Sequence, residues 1–423
     1  MNLPSLLTAI EQADEPAALD LLLDAVPDGE LDGAPDIELD GEDGSTLLHA
    51  AAHAGLPELV WALVTHGADI THPWPDGTDP VTWAAEHGAY EILYSLLAPS
   101  PRSGPDTYRR ALAIAQAHID AGTDAGDAAT GPNPPAHLAI VTDLEARLGV
   151  HRTPDELLAR ALVHALPEHD DWFASVLQLT VRGGQETFDW ALATASDPAS
   201  PDHRRFGLDV INTLSFGLDD DTIDNDSQDD DEEPPYTAEA LAFLRPLLHP
   251  DHGEQDPHAL RTAIAAFAAY CRPDELPAVL PHAGHPAPAV RRSVAMAFVT
   301  TAAVPHPEVL PTLTRLAADP DPEVRDTAFH ALTGHPADSP ELREALAAAL
   351  DDTRPDVCPD ARLEAAAALA LRGDDRGRAV LDEIRSALTS PRSRTASRLD
   401  EIDRLLNARR PTAPATTPDN APA

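Results

Sequence analysis

The sequence predicts an all-α solenoid built from two successive systems of helical repeats, and three observations carry the prediction. Only 4% of the residues are aromatic and only two are Met. The core must therefore come mainly from Ala, Leu and Val, which favours thin stacked helices over one thick core. Landmark residues recur at a constant offset of 33 in the N-terminal part, and a second apolar template recurs at offsets of 34 and 37 further on. Fixed periods of this length are the signature of repeat architecture.

The first period is read from two segments, Gly44 to Ile70 and Asp76 to Leu97. Gly44 matches Gly77, Ala51 and Ala52 match Ala84 and Ala85, Gly55 matches Gly88, Glu58 matches Glu91, and Leu63 matches Leu96, each pair 33 apart. Paired Ala let two short helices approach closely, and Gly55 and Gly88 fall where the first helix must stop on a permissive backbone. Leu59, Val60 and Leu63 form the apolar face of the second helix, which Gly67 ends.

With Thr46, Leu48, His49, Ala51, Ala52, Gly55 and the Gly67-Ala68-Asp69 ending in place, the pattern resembles the ankyrin repeat. The resemblance implies that His49 is structural, bonding neighbouring loops. The second unit departs from the pattern, with Asp79 and Thr82 where Thr and His are usual, and keeps Pro80. Residues 1–24 align as an N-terminal cap, Leu7 against Leu48 and Leu22 against Leu63, both 41 apart. That leaves an enlarged acidic connection from Asp24 to Asp43 as a candidate contact surface. After residue 100 the period fades into a linker and two further helices, a degraded continuation over 101–150.

Residues 151–390 are expected to hold the second system. Val290, Val294, Ala297 and Phe298 match Val324, Ala328, Ala331 and Leu332 at 34, and the last three match Ala365, Ala368 and Leu369 at 37. Arg291, Arg325 and Arg362 recur at one place, and Asp319 and Asp321 precede the second of them. This resembles the HEAT-like repeat, a resemblance that implies turn carboxylates pairing with Arg as a structural spine. A C-terminal helix is expected over 391–410, as a cap of the array in preference to a partner-capture helix, and a low-complexity tail over 411–423.

Acidic residues outnumber basic ones 72 to 29, a formal net charge of −43. Phosphate backbones and anionic membranes repel such a chain, so neither nucleic acid nor membrane is an expected partner, while a basic protein is attracted. The sequence contains no lysine. That removes Walker-type phosphate loops, protein-kinase ATP sites, Schiff-base chemistry and Ser/Lys hydrolysis, each of which needs an ammonium group. Cys271 and Cys358 lack CxxC spacing and fit a reducing compartment. No cationic, apolar leader and no long apolar run occurs, so a cytoplasmic protein is expected.

No HExxH, GxGxxG or GxSxG motif is present, and no cofactor is expected. The acidic insertion 219–235 lacks the Gly and the terminal Glu of an EF-hand and reads as a solvated charge run. His249 with His252, and His282 with His285, are pairs three residues apart without the further ligands a metal site needs. Trp61 and Trp83 read as core. Trp74, Asp76 and Tyr90 in the ankyrin part, with Trp74 at an exposed finger, and Asp229, Asp230 and Asp231 in the insertion are the candidate partner-binding residues.

Together these readings point to a non-catalytic scaffold that binds a protein partner, possibly a basic one. The alternatives are an acidic inhibitor or immunity-type protein for a basic toxin or nuclease, and, through the HEAT resemblance, an accessory subunit of a modifying enzyme such as a bilin lyase.

Overall fold

The computed structural model describes residues 3–25, 46–75, 77–98, 104–122, 135–216, 234–299, 306–350, 359–388 and 394–408, and these are helices and turns without strand. The fold is all-α and built of helical repeats. Its backbone falls into two compact units, Met1–Ala297 and Phe298–Ala423.

The first unit opens with four helix pairs: α1 (Leu3–Glu11) and α2 (Glu15–Ala25), α3 (Leu47–His53) and α4 (Pro57–Thr65), α5 (Pro80–His87) and α6 (Tyr90–Leu97), α7 (Pro105–Asp120) and α8 (His137–Arg147). Within each pair the two helices pack together, and successive pairs stack, α1 on α3, α2 on α4, α4 on α6, α5 on α7 and α6 on α8. The apolar stripes predicted from the 33-residue period face inward. Leu59, Val60, Leu63, Leu93 and Leu96 are all fully buried in one core that runs from Leu6 to Leu148 and takes in Ala174.

Gly88 shows why the period needs glycine. It ends α5 in the left-handed region at φ +64, and a Cβ there would lie 2.8 Å from the Pro135 side chain. Its carbonyl accepts the N–H of Ala136 at 2.9 Å, which ties the third pair to the fourth. The equivalent Gly55, at φ +70, has open space where a Cβ would stand.

The first unit continues through α9 (Pro154–Ala161), α10 (Asp170–Arg182), α11 (Gly184–Ala195), α12 (Pro201–Leu214), α13 (Thr237–Leu247), α14 (Pro257–Tyr270), a 3-10 helix (Leu276–Gly284) and α15 (Pro288–Met296). α10 packs on α8 and α9, α12 on α10, α11 and α14, and α14 on α13 and α15. A Cβ on Gly207 of α12 would meet the backbone of α11 at 2.5 Å, so a hydrogen atom sets the spacing of that pair. Asp209 joins three helices, accepting from Trp172 Nε1 of α10 at 2.8 Å and from Thr262 Oγ1 of α14 at 3.0 Å. Burial outweighs these bonds and pushes its carboxyl up to about 6.

Much of the proline in the sequence serves helix starts. Pro57, Pro80, Pro105, Pro154, Pro201, Pro257 and Pro288 each stand first in a helix, where the missing N–H has no intrahelical partner to lose. The residue before often supplies the cap: Asp79, Thr153, Ser200 and Asp256 each accept a first-turn N–H, and Thr153 with Glu156 closes a capping box.

Many of the histidines are turn residues as well. At His249, His285, His306 and His335, each followed by Pro, Nδ1 accepts the N–H two residues on at 3.1–3.2 Å.

The second unit holds α16 (Val309–Leu316), α17 (Pro322–Gly334), α18 (Pro340–Leu350), α19 (Pro359–Leu371), α20 (Asp375–Ala387) and α21 (Arg394–Ala408). α19 is its centre, packing on α17, α18, α20 and α21. The expected template positions Val324, Ala328, Ala331, Leu332, Ala365, Ala368 and Leu369 are all buried. A Cβ on Gly377 of α20 would meet Ala366 O of α19 at 2.4 Å. α21 caps α19: Arg398 grips the buried Glu364 through two bonds of 2.6 and 2.7 Å, over Ala396, Leu399 and Ile402, which are buried.

The recurring arginines act on the backbone. Arg291 donates to the carbonyls of His285 and Pro286 at 2.9 and 3.0 Å, and Arg325 to those of Asp319 and Pro320 at the same two distances. Arg362 donates to Leu350 O at 3.1 Å and to Glu383 at 2.8 Å. Arg372 goes further, donating to the carbonyls of Leu332, His335, Ala337 and Ala368 at 2.7–2.9 Å. A planar guanidinium carries five N–H groups in a fixed fork, which suits carbonyls left open at helix ends.

Candidate interaction surfaces

In the ankyrin-like part, α3, α5 and the turn between α4 and α5 assemble a cluster of rings. His49 lies edge-on to Trp74 at 4.8 Å, His53 lies 4.6 Å from Trp83, Trp74 and Trp83 are 5.5 Å apart, and Trp83 stacks on His87 at 4.3 Å. The turn that carries Trp74 is closed by two backbone bonds of 2.8 Å, Trp74 N–H to Thr78 O and Gly77 N–H to Trp74 O. The indole folds back between units and is only 3% exposed. The expectation of an exposed aromatic at this finger is therefore corrected: Trp74 is a wedge under the surface, and the rings that reach solvent are those of His53 and His87.

Tyr90 is also inside, 2% exposed at the start of α6. Its hydroxyl is buried without a hydrogen-bond partner. Asp79, the departure from the ankyrin pattern, caps Thr82 through N–H and hydroxyl bonds of 2.9 and 2.8 Å and takes a third bond of 2.7 Å from Arg110 of α7. Asp76, Asp229, Asp230 and Asp231 lie outside the described residues, as do Cys358, most of the 219–235 insertion and the 411–423 tail.

Trp61 corrects the reading in the other direction. It was expected in the core and is 48% exposed. The reason is helical geometry: at 100° per residue, position 61 stands off the stripe made by Leu59, Val60 and Leu63. The same signal, read at the 33-residue offset, picks out half-buried Tyr94 on α6.

Two ionisable networks join α8 to the helices after it. Glu145 is bonded by Arg152 at 2.9 Å and Arg160 at 2.8 Å. Burial works against its charge, but these bonds hold the carboxyl below its usual range. Asp171 accepts the N–H of Ala139 at 2.8 Å and the Nδ1 proton of His164 at 2.9 Å. His169 Nδ1 takes the Asp171 N–H at 3.2 Å. His164, His169 and Asp171 bring three ligand-type atoms within 4.8 Å, a grouping that their sequence spacing did not single out. Every one of those atoms is engaged in this helix joint, and burial raises the Asp171 carboxyl despite both imidazoles.

Three of the four histidines weighed as metal ligands serve the backbone. His282 Nε2 donates to Leu248 O at 3.0 Å, and burial lowers its affinity for a second proton. His285 and His249 are turn caps, and the ring of His252 stacks on His249 at 4.9 Å. Cys271 is half-buried, and burial pushes its thiol up to about 12. No described helix is long and apolar enough to cross a membrane.

Comparison with known proteins agrees with the repeat pattern. A model of ankyrin repeats in three copies matches residues 6–110, and a HEAT-repeat model matches residues 283–358. An N-terminal ankyrin region is thus joined in one chain to C-terminal HEAT repeats. No curated protein matches the chain. The crystal structure of YibA from E. coli is similar at 20% identity over 56% of this chain and 79% of that one, with a TM-score of 0.40.

Proposed function

We propose, from the premise that ankyrin and HEAT repeats share one chain, that the protein is a non-catalytic scaffold that binds a protein partner through its repeat surfaces. Repeat families of both kinds are generally protein-interaction modules. The observation that carries the reading is the stack itself. Each pair buries its apolar stripe on the next, while ionisable clusters such as Glu145 with its arginines and Asp171 with its histidines are closed into joints between helices. What the array offers to solvent is a succession of rigid helix faces in a strong negative field.

The mechanism is surface complementarity without folding on binding, with encounter accelerated toward a basic partner at low salt. The test is affinity capture from native cytoplasm with the full chain and with a deletion of residues 219–233, at low and high salt, followed by binding measurements with the purified partner. A partner that binds both forms supports the helix faces as the site. A basic partner lost on deletion and in salt moves the site to the acidic insertion, and purified full-length protein that turns over its captured partner overturns the scaffold reading.

A further inference from the structure

Glu58, Glu91 and Asp170 stand in the first turn of α4, α6 and α10. Each is followed three residues later by an aromatic residue, Trp61, Tyr94 and Phe173, which shares its helix face. Trp61 and Phe173 are 48% and 51% exposed in a chain with few aromatics. The rows adjoin: α4 packs on α6, and Phe173 of α10 meets the rings of Tyr90 and Tyr94 at 6.5 and 6.3 Å.

First-turn carboxylates complement the helix dipole, and that alone would explain acids at these positions. It explains neither an exposed ring one turn on nor the crowding of like charge. Asp170 is pushed up to about 7, by burial first and then by the charges of Glu91 and Asp171. Glu15, whose carboxylate accepts the Leu59 N–H at 3.0 Å, is raised by burial and by Glu58 and Glu91. Neither Glu91 nor Asp170 forms an ion pair with a described residue.

The second observation is Tyr90, whose ring lies 6.2 and 6.5 Å from those of Tyr94 and Phe173 and whose hydroxyl is buried and unpartnered. Burial first, then the charge of Asp143 and, less, that of Asp170, push its hydroxyl up. A buried hydroxyl without a partner is costly, and a hydrogen bond gained on binding would relieve it.

We propose that this carboxylate and aromatic ladder on α4, α6 and α10 is a docking surface for an extended, arginine-bearing segment of a protein partner. A guanidinium stacks on an aromatic face while its edge bonds a carboxylate, which a compact ammonium does less well. Packed helices lie about 8–10 Å apart, and a chain extended as polyproline II rises about 3.1 Å per residue with three residues per turn, so that every third side chain shares one face. Arginines at every third position, about 9 Å apart, therefore match the rungs of α4 and α6, and Phe173 adjoins the second rung at 6.3 Å from Tyr94. The proposal rests on the protein-binding reading and gives it a place and a chemistry.

The test uses the full-length protein and a fluorescent peptide of Gly and Ser with arginine at every third position, read by anisotropy. The expected result is saturable binding, weaker for the lysine version and for the same arginines placed contiguously. Trp61→Ala with Phe173→Ala, which leaves the net charge unchanged, is expected to weaken binding about tenfold. Glu91→Gln with Asp170→Asn is expected to weaken it at least as much, and Trp61→Phe with Phe173→Tyr to restore it. Asp375→Asn with Asp382→Asn, which removes two acidic groups from the second unit, is expected to change it less than about twofold. Equal loss in that control, or full binding by the aromatic double variant, overturns the ladder. If the aromatic variant also keeps a partner captured by the wild type, the protein-binding reading stands without this surface.

Discussion

The ankyrin pairs and the C-terminal repeats face the same problem at their helix ends, carbonyls without an intrahelical partner, and meet it with different residues. In the ankyrin pairs the chain turns through left-handed glycine, and the space between units is filled by rings, Trp74 above all. In the C-terminal repeats arginine reaches back to the carbonyls, twice at identical offsets from Arg291 and Arg325 and fourfold from Arg372. The first solution depends on the absence of a side chain, the second on one whose five donors are already in a plane. The difference teaches that a shared all-α architecture does not imply shared points of weakness.

The largest effect is expected at the ring wedge. Trp74→Ala should cost about 3–5 kcal/mol, while Trp61→Ala, on the exposed face, should cost less than about 1 kcal/mol. All five tryptophans lie in the first unit, so urea unfolding followed by indole fluorescence reads that unit, and equal costs would erase the distinction drawn between the two residues.

Next in size is Arg372→Ala, expected to cost about 3 kcal/mol by leaving four buried or half-buried carbonyls short of a donor, with Arg372→Lys recovering only part of it. The loss should appear as faster amide exchange in α17 and α19 with the indole transition unmoved. A shift of both together would show that the two compact units unfold as one.

Gly88→Ala should cost about 2 kcal/mol or more, from the left-handed backbone and from the clash with Pro135. Gly55→Ala, at nearly the same φ but in open space, should cost about 1 kcal/mol. The ratio, measured by the same fluorescence melt, separates backbone strain from close approach.

The smallest effect is electrostatic. The folded chain holds the Asp170 proton up to about pH 7, whereas an unfolded chain releases it near about pH 4. The folded state therefore binds more protons across this window, and stability contributed at low pH is lost as pH rises through it. Asp170→Asn should stabilise by about 1 kcal/mol above pH 7, with the gain fading toward pH 4. A gain that does not change with pH would remove charge crowding as its cause.

The fold was legible because its apolar residues repeat. Offsets of 33, 34 and 37 located stripes that are buried at Leu63, Leu96, Val324, Leu332 and Leu369. The surface was less legible, because the period does not say which way a non-stripe residue leans. Trp74 sits on a turn closed by its own N–H to Thr78 O and by the Gly77 N–H to its carbonyl, and on that turn its indole is buried. Trp61, by contrast, stood off the stripe of its own helix and was readable from it. Arg372 lies outside the recurring arginine positions, and its four acceptors come from segments up to 40 residues distant in sequence. No local spacing encodes such a meeting.

Gly207 and Gly377 have a further consequence, mechanical in kind. Stacked repeats carry load through the joints between neighbouring helices, and a joint resists shear according to how closely its backbones approach. At α11 with α12, and at α19 with α20, a hydrogen atom stands where any other residue would place a carbon against backbone. Under tension these closely spaced pairs are expected to yield least, with bending taken up in the joints held apart by larger side chains.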